Sequence, residues 1–458
     1  MEHEETLVKR WEDWWRETKE LVSDWWWEQK WYISQSFARS RVSWYYDKVR
    51  KRPPLYHQRP DLPEVTLSAL IETGHAESTI PVLKQRSYSG NKPVISSALA
   101  DAPCAHLGVD GVLEKLNATL GTSYNLRSKI LRPLGKTILH SILKPYVTQN
   151  DDFGTVYSHL RPYWYDYDVA TIKHKLRTRA EEDRAMRSRV LVHDRITARR
   201  MHPRRVWDLY ANRVVPQWVV GRYPWGISHA WVDMKDRMGA MTPINGYEWP
   251  VPIPKDANLD LIRIEMLNLG AEYVWLDVLC LRQEGGKNEH LRLEEWKLDV
   301  PTIGWVYRGA KVVCYFSGLG RPLHLTLDDF ESDRCWFRRA WTLQEITSHA
   351  ITGGETGDDI MEKEVQKTFD ERLVRLRGIQ KWDLALELVL EMQNRVSTKS
   401  LDKVAGLAYL FYPDSIPIYD VEMSDMDAWE VLMDTMGPEC RAELFFYFPE
   451  PGTGNKYW

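Results

Sequence analysis

The chain has 458 residues, of which 43% are hydrophobic, so it is long enough for two or three domains with sizeable cores. Its formal net charge is −4 and its pI is about 6.4, a balance that excludes a strongly basic nucleic-acid-binding protein. The five cysteines are scattered without a CxxC pair. That spacing argues against a disulfide framework or a zinc site and favours a reducing compartment.

An apolar stripe, made largely of tryptophan, runs through the first 50 residues and predicts an amphipathic helix. Such a stripe usually packs on the rest of the protein or on a partner helix, and the acids between the tryptophans disfavour the alternative, a helix lying on a membrane surface. The N-terminus is too charged for a signal peptide. No apolar stretch approaches the roughly 20 residues of a membrane span. We therefore expect a cytoplasmic protein without a membrane span.

The next segments carry weaker signals. Residues 51–110 are rich in Pro, Ser and Gly, which indicates a linker or an irregular region. Residues 111–150 have a loosely helical pattern. Residues 171–205 contain 12 Lys or Arg against 4 Asp or Glu, and this mixture favours a solvated helix with salt bridges. A nucleic-acid patch is the less favoured alternative, because no aromatic residues interleave the charges.

From about residue 206 the pattern alternates between strands and helices. Strands are predicted near 226–231, 273–281 and 311–316, with a last short strand in HAITGG (349–354). A helix is predicted over 259–269, capped by Asp256 and ended by Gly270. The stretch CWFRRAWTLQE (335–345) is predicted to be one helix, and residues 361–412 are also predicted to be helical. The order β-α-β-α-β-α-β predicts a parallel sheet with helices on both faces.

We divide the chain into three parts on this basis. Residues 1–205 form a mostly helical, Trp-rich and basic N-terminal region with a Pro/Ser/Gly-rich linker. Residues 206–355 form an α/β domain, and residues 356–458 form a helical C-terminal extension. The final PEPGTGNKYW has no evident closing element, which indicates a truncated end or a missing downstream domain.

Polar residues after the predicted strands are the candidates for chemistry, because ligands of parallel sheets bind beyond the carboxyl ends of the strands. Standard phosphate-loop, dinucleotide, zinc-protease and serine-hydrolase motifs are missing. Each candidate also has a simpler interpretation as turn, surface loop, ion pair or solvated helix face. The candidates are Ser228, His229, Trp231, Asp233, Asp277, Arg282 and Glu345.

Several blocks together resemble the fungal heterokaryon-incompatibility (HET) domain. They are WGISHAWVD (225–233), YVWLDVLCLRQ (273–283), WFRRAWTLQE (336–345) and STKSLDKVAGLAYLF (397–411). The resemblance covers residues 206–411 and implies a TIR-like, flavodoxin-like parallel sheet flanked by helices. TIR domains that cleave NAD⁺ carry a Trp-x-x-x-Glu pattern, and here Trp341 and Glu345 have that spacing.

The resemblance implies that Glu345 is the catalytic carboxylate and that Trp341 packs beside it. NAD⁺ is then the substrate, with no permanently bound cofactor and no metal. In the family the second block usually continues with Asp-Gln, whereas Arg282 and Gln283 stand here, and a basic residue can meet a pyrophosphate. The remaining candidate residues would line the NAD⁺ pocket.

Two functions follow as expectations. The first is NAD⁺ cleavage that triggers cell death in non-self recognition. The alternative is a non-catalytic module that signals by self-association or by binding a protein partner. A single carboxylate suits the first function. The nicotinamide ring of NAD⁺ is already cationic and leaves as a neutral molecule, so no general acid is needed. The two functions differ in whether Glu345 lies beside an open site or is buried in an ion pair.

Overall fold

In a computed structural model, a six-stranded sheet forms the centre of the described part of residues 54–458. The structure describes residues 62–126, 139–165, 172–220, 222–308, 310–347, 350–357, 361–382, 385–411 and 415–447. The Trp-rich stripe predicted in residues 1–50 and the final PEPGTGNKYW lie outside the described residues. None of the helices within the described ranges is both long enough and apolar enough to cross a membrane.

The strands and helices are numbered here in chain order. The strands are β1 Val65–Ser68, β2 Ser87–Gly90, β3 Leu191–Val192, β4 Arg195–Ile196, β5 Arg205–Asp208, β6 Arg213–Pro216, β7 Trp225–His229, β8 Arg237–Ala240, β9 Val251–Pro254, β10 Tyr273–Leu276, β11 Val312–Tyr315, β12 Ala350–Thr352 and β13 Ile416–Pro417. The helices are α1 Ala69–Thr73, α2 Ser97–Ala100, α3 Cys104–Leu120, α4 Leu139–Gln149, α5 Phe153–Leu160, α6 Ile172–Val190, α7 Gln217–Val220, α8 Leu259–Asn268, α9 Asp277–Cys280, α10 His290–Asp299, α11 Ile303–Arg308, α12 Thr342–Glu345, α13 Lys363–Trp382, α14 Ala385–Gln393, α15 Leu401–Ala408, α16 Asp425–Thr435 and α17 Pro438–Tyr447.

The central sheet has the strand order β12-β11-β7-β10-β5-β6. Its first four strands in that order pair in parallel, with Ser228 of β7 opposite Cys314 of β11 and Trp275 of β10 opposite Gly226 of β7. β10 and β11 are buried along their whole length, as expected for strands covered on both faces. The predicted parallel sheet of four strands is confirmed. The antiparallel hairpin β5–β6, which extends it, was not predicted.

Helices cover both faces of the sheet. On one face Gly226 lets α11 approach closely, because a Cβ there would lie only 2.7 Å from the ring of Tyr307. Tyr307 donates a hydrogen bond to the carbonyl oxygen of Ile227 at 3.2 Å. On the other face Glu265 of α8 accepts a hydrogen bond from the Tyr315 hydroxyl at 2.9 Å. Gly226 pairs with Val312 of β11, and Tyr315 lies three positions after Val312. Because successive residues of a strand point to opposite faces, Tyr315 and Gly226 are on opposite faces, and so are the two helices.

Residues 51–110 were predicted to form a linker or an irregular region, and the linker is wrong for the described part of that segment. It contains the antiparallel pair β1–β2 and helices that pack on the sheet domain. Gln85 donates to the buried Glu265 carboxylate at 2.7 Å, and the Ile95 carbonyl accepts from Arg263 at 2.6 Å. Leu67 is 1% exposed. The polar and Gly-rich composition hides a segment whose polar groups are satisfied by tertiary contacts.

Three predicted element boundaries are also wrong. The strand expected over 273–281 ends at Leu276, where the short helix α9 begins. Asn258, and not Asp256, caps α8 by accepting from the Asp260 N–H at 2.8 Å. Residues 335–345 do not form one helix. A 3₁₀ turn over Trp336–Arg338 is followed by extended backbone at Arg339 and then by α12.

Other predicted segments are confirmed. Residues 111–150 contain most of α3 and all of α4, while residues 127–138 lie outside the described residues. The basic segment contains α6, with an exposed ion pair between Arg177 and Glu181 at 2.8 Å. Residues 361–412 contain α13, α14 and α15, and Leu388 and Met392 of α14 are buried. All five cysteines lie in the described ranges and are free.

Candidate functional site

A chain of hydrogen bonds connects Trp336, Ser228 and Glu345 at the carboxyl end of β7. The indole Nε1–H of Trp336 donates to Ser228 Oγ at 2.7 Å, and Ser228 Oγ lies 2.5 Å from Glu345 Oε2. An indole can only donate, so the Ser228 oxygen accepts from Trp336 and its own proton points to Glu345. Ser228 and Trp336 are both 1% exposed, whereas Glu345 is partly exposed. The chain therefore orients one carboxylate that solvent or a ligand can reach.

The short helix α12 holds Glu345 in place because the preceding segment is bound to another part of the chain. The backbone at Arg339 pairs with Val396, since the Ala340 N–H donates to the Val396 carbonyl at 3.0 Å and Val396 donates back to Arg338. The buried Arg395 donates to the Arg339 carbonyl at 2.7 Å and to Thr342 Oγ1 at 2.9 Å. These bonds replace those of a continuous helix and restart it at Thr342.

A second polar pair lies next to the first. His229 Nε2 is 2.9 Å from Asp277 Oδ1, and His229 is 6% exposed. Asp277 opens α9 and also accepts from the Val278 N–H at 2.7 Å. His229 follows Ser228 directly at the end of β7, and Asp277 follows β10, the neighbouring strand. The parallel topology thus brings both pairs to one edge of the sheet.

Electrostatics distinguish the two carboxylates. Burial raises the pKa of Glu345 to about 6, although the Ser228 hydroxyl and the Arg339 guanidinium oppose the rise. Burial acts on Asp277 in the same direction, but attraction and hydrogen bonding from His229 outweigh it and lower the pKa of Asp277. Carboxylates whose pKa values are moved apart by their surroundings are typical of functional sites. Near neutral pH both are ionised, and Glu345 is the one that a small pH change can neutralise.

The floor of the site is apolar and does not offer a thiolate. Cys314, opposite Ser228 in the sheet, is buried, and burial together with the nearby Glu345 charge raises the pKa of its thiol far above neutral pH. Burial likewise raises the pKa of the Tyr307 hydroxyl well above its ordinary value. Phe316 packs against Trp336 at a centroid distance of 5.0 Å. Nucleophilic catalysis by Cys314 is therefore disfavoured.

Trp231 and Trp341, the two tryptophans proposed from sequence, have different neighbours. The Trp231 ring is 5.5 Å from the His229 ring, and the Arg237 and Arg339 guanidinium groups lie over it. Trp341 precedes α12, and its ring lies 6.4 Å from that of Tyr419. The structure thus places Trp231 beside the cluster, with arginines packed on its ring.

Two of the residues proposed from sequence have other partners. Asp233 forms an exposed ion pair with Arg334 at 2.7 Å. Arg282 is 4% exposed, and it pairs with Glu248 at 3.1 Å and with Glu295 at 3.4 Å. Its position favours a role in packing the loop after α9. Ser228, His229, Asp277 and Glu345 are brought together, whereas Asp233 and Arg282 are held by these separate ion pairs.

Sequence reasoning missed the parts played by Trp336 and Arg339. Trp336 orients Ser228, and Arg339 donates to the His229 carbonyl oxygen at 3.4 Å while its charge opposes protonation of Glu345. Both residues stand in the same WFRRAWTLQE block as the proposed catalytic residue. The sequence showed that both residues were present, but it did not show where their side chains point, because the block was predicted to be one helix.

The arrangement can stabilise a developing positive charge. A single carboxylate is held by a hydroxyl that is itself held by an indole, so its position does not need to reorganise during a reaction. Comparison of the chain with protein-family models, with curated proteins and with solved structures found no significant match.

Proposed function

We propose that the protein cleaves NAD⁺ at the bond between nicotinamide and ribose, with Glu345 as the catalytic carboxylate. The observation that carries the proposal is the position of Glu345. It is partly exposed, hydrogen-bonded to Ser228, and placed beyond the carboxyl end of β7. Taken in chain order, the four parallel strands lie in the order second, first, third, fourth, which is that of flavodoxin-like sheets. Such sheets bind ligands between the first and third strands, here β7 and β11.

The chemistry requires little from the protein beyond this carboxylate. The nicotinamide ring of NAD⁺ is cationic and leaves as a neutral molecule, so the bond breaks without a general acid. Positive charge develops on the ribose carbon and ring oxygen, and an ionised Glu345 stabilises it. Water then adds to that carbon and releases one proton, giving ADP-ribose. The hydroxyl of Ser228 and the charge of Arg339 favour the ionised form of Glu345 that this step needs.

The resemblance to HET domains supplies the biological setting of the proposal. There, NAD⁺ depletion serves fungal non-self recognition by killing the cell. The second candidate is a non-catalytic module that acts by self-association. One observation favours it: Phe445 and Phe446 at the end of α17 are 70% and 74% exposed, and adjacent exposed aromatic side chains are common at protein interfaces.

Release of nicotinamide from NAD⁺ by the purified protein tests the proposal. Samples at low concentration and samples concentrated to promote self-association are compared by chromatography of the products. We expect the wild type to release nicotinamide in at least one of these states, and Glu345→Gln to lose that activity. Glu364→Gln is the matched control, because Glu364 is an exposed carboxylate on α13. Wild-type protein that releases no nicotinamide in any state refutes NAD⁺ cleavage and leaves the interaction module.

A further inference from the structure

A cationic and aromatic surface borders the Glu345 site. Two guanidinium groups lie over the ring of Trp231, that of Arg237 at 4.9 Å from the ring centroid and that of Arg339 at 5.6 Å. Trp231 is only partly exposed, so the contacts are shielded from water on one side. Such cation–π contacts hold an arginine in position without using its N–H donors. The N–H donors lie in the plane of the guanidinium group and remain available to an anion.

Arg237 lacks a compensating partner within the described residues. Among the described residues, the Arg237 guanidinium packs on the Trp231 ring but donates no hydrogen bond and forms no ion pair. Burial and the nearby positive charge of Arg334 lower the pKa of Arg237, and the charge of Asp233 offsets them in part. Asp233 is itself paired with Arg334 at 2.7 Å. Because the Arg237 guanidinium is partly buried without an ion pair, a bound anionic ligand would stabilise it.

The backbone fixes the position of Arg237. It is the first residue of β8 and pairs with Pro254 in the antiparallel β8–β9 hairpin. The Lys255 N–H donates to the Asp236 carbonyl at 2.9 Å and closes the same end of the hairpin. The guanidinium is therefore presented by a regular element, and an anion that binds it does not have to order a loop.

Arg339 connects this surface to the site of the chemistry. It donates to the His229 carbonyl oxygen at 3.4 Å, and the His229 ring is 5.5 Å from that of Trp231. Burial lowers the pKa of Arg339, and the charges of Glu345 and Asp277 oppose that shift. One arginine of the pair thus neighbours the carboxylates, and the other stands at the start of β8.

We propose that Arg237 and Arg339, held on Trp231, bind the diphosphate of the dinucleotide substrate. This inference rests on the proposed function and deepens it. Guanidinium groups bind phosphate oxygens through paired N–H donors, and this geometry suits them better than lysine. Arg282, the residue that the sequence suggested for a pyrophosphate, is occupied by Glu248 and Glu295. Arg339 connects Trp231 to the carboxylates, and Arg237 packs on the same indole ring.

The test compares a substrate that has the diphosphate with one that does not. Arg237→Gln is assayed with NAD⁺ and with nicotinamide riboside, which carries the same scissile bond. We expect KM for NAD⁺ to rise about tenfold, the loss of roughly one charge-assisted hydrogen bond, while kcat and all constants for nicotinamide riboside stay within about twofold. Arg177→Gln makes the same charge change on exposed α6 and is expected to behave as the wild type.

A second measurement does not depend on catalysis. Calorimetric titration with inorganic pyrophosphate should show binding to the wild type and to Arg177→Gln, and binding about tenfold weaker to Arg237→Gln. Pyrophosphate binding without nicotinamide release would support the anion subsite and refute NAD⁺ cleavage. Nicotinamide release with unchanged KM in Arg237→Gln, or a wild type that does not bind pyrophosphate, would overturn the subsite and leave the proposed catalysis intact.

Discussion

Replacing Glu345 by Gln separates a catalytic carboxylate from a structural one, because the two roles predict opposite changes in stability. Gln keeps the size of the side chain and an oxygen that can accept from the Ser228 hydroxyl. In the wild type, Ser228 Oγ lies 2.5 Å from Glu345 Oε2. Gln removes the charge and replaces the other carboxylate oxygen with a neutral NH₂ group. A catalytic carboxylate that is partly desolvated costs stability when ionised, whereas a structural anchor adds stability.

The size of that cost follows from the pKa of Glu345. Its rise from the ordinary 4.5 to about 6 corresponds to about 2 kcal/mol, at about 1.36 kcal/mol per pKa unit. Because the folded-state pKa is raised, the favourable contribution of the protonated form is fully present below pH 4.5. It is lost as the pH rises through about 6. Glu345→Gln should therefore be more stable than the wild type by at most about 2 kcal/mol at pH 7.5, and by less than about 1 kcal/mol at pH 5.

Urea unfolding at pH 7.5 and at pH 5 measures this difference, and nicotinamide release measures activity in the same preparations. We expect activity to fall by about 10²–10³, the usual effect of removing one preorganised electrostatic contact. Glu364→Gln should change neither quantity.

Two results would refute this reasoning. Loss of more than about 1 kcal/mol of stability at pH 7.5, a typical cost of losing a structural interaction, would make Glu345 a structural anchor. Unchanged activity in a folded variant would make α12 only part of the scaffold.

Three further predictions concern the pH profile and neighbouring residues. The kcat/KM of the wild type for NAD⁺ should fall about tenfold per pH unit below about pH 6, because only ionised Glu345 is active; a profile flat to pH 4.5 would contradict this. Ser228→Ala removes a hydrogen bond that lowers the pKa of Glu345, so the acid limb of that profile should move to higher pH, and an unmoved limb would show that Ser228 does not act on the carboxylate. Arg282→Gln breaks the ion pairs with Glu248 and Glu295 and should lower the free energy of unfolding by about 3 kcal/mol without raising KM for NAD⁺; a raised KM at unchanged stability would return Arg282 to the substrate site.

The parallel strands could be predicted because their signal is local. YVWL at 273–276 and VVCY at 312–315 are apolar at every position, and such runs are typical of strands that are buried on both faces. The convergence of Ser228 and Asp277 followed from topology, since loops after neighbouring parallel strands meet at one edge. Local patterns could not reveal the β5–β6 hairpin. Asp208 makes its turn by accepting the N–H groups of Tyr210 and Ala211, and this turn was overlooked because apolar residues surround it.

The segment at 62–110 shows the same limit. Its Pro, Ser and Gly content predicts a linker, but Gln85 and Ile95 are satisfied by Glu265 and Arg263 of α8, which lie more than 160 residues away in the chain. Composition reports how a segment behaves alone, and it does not contain the partners that bury it.

The candidate site shows most clearly where sequence and tertiary structure contribute. By itself, the sequence determined the residue types, the Trp341-to-Glu345 spacing and the edge of the sheet where polar residues collect. The direction of the Glu345 carboxylate was decided by contacts from distant parts of the chain. Val396 and Arg395 form hydrogen bonds with the backbone around Arg339 and so interrupt the expected helix. Ser228 is hydrogen-bonded to Glu345, which lies 117 positions later in the chain. Hydrogen bonds between such distant residues form only once the sheet and the helices around it have packed, so no local pattern could predict them.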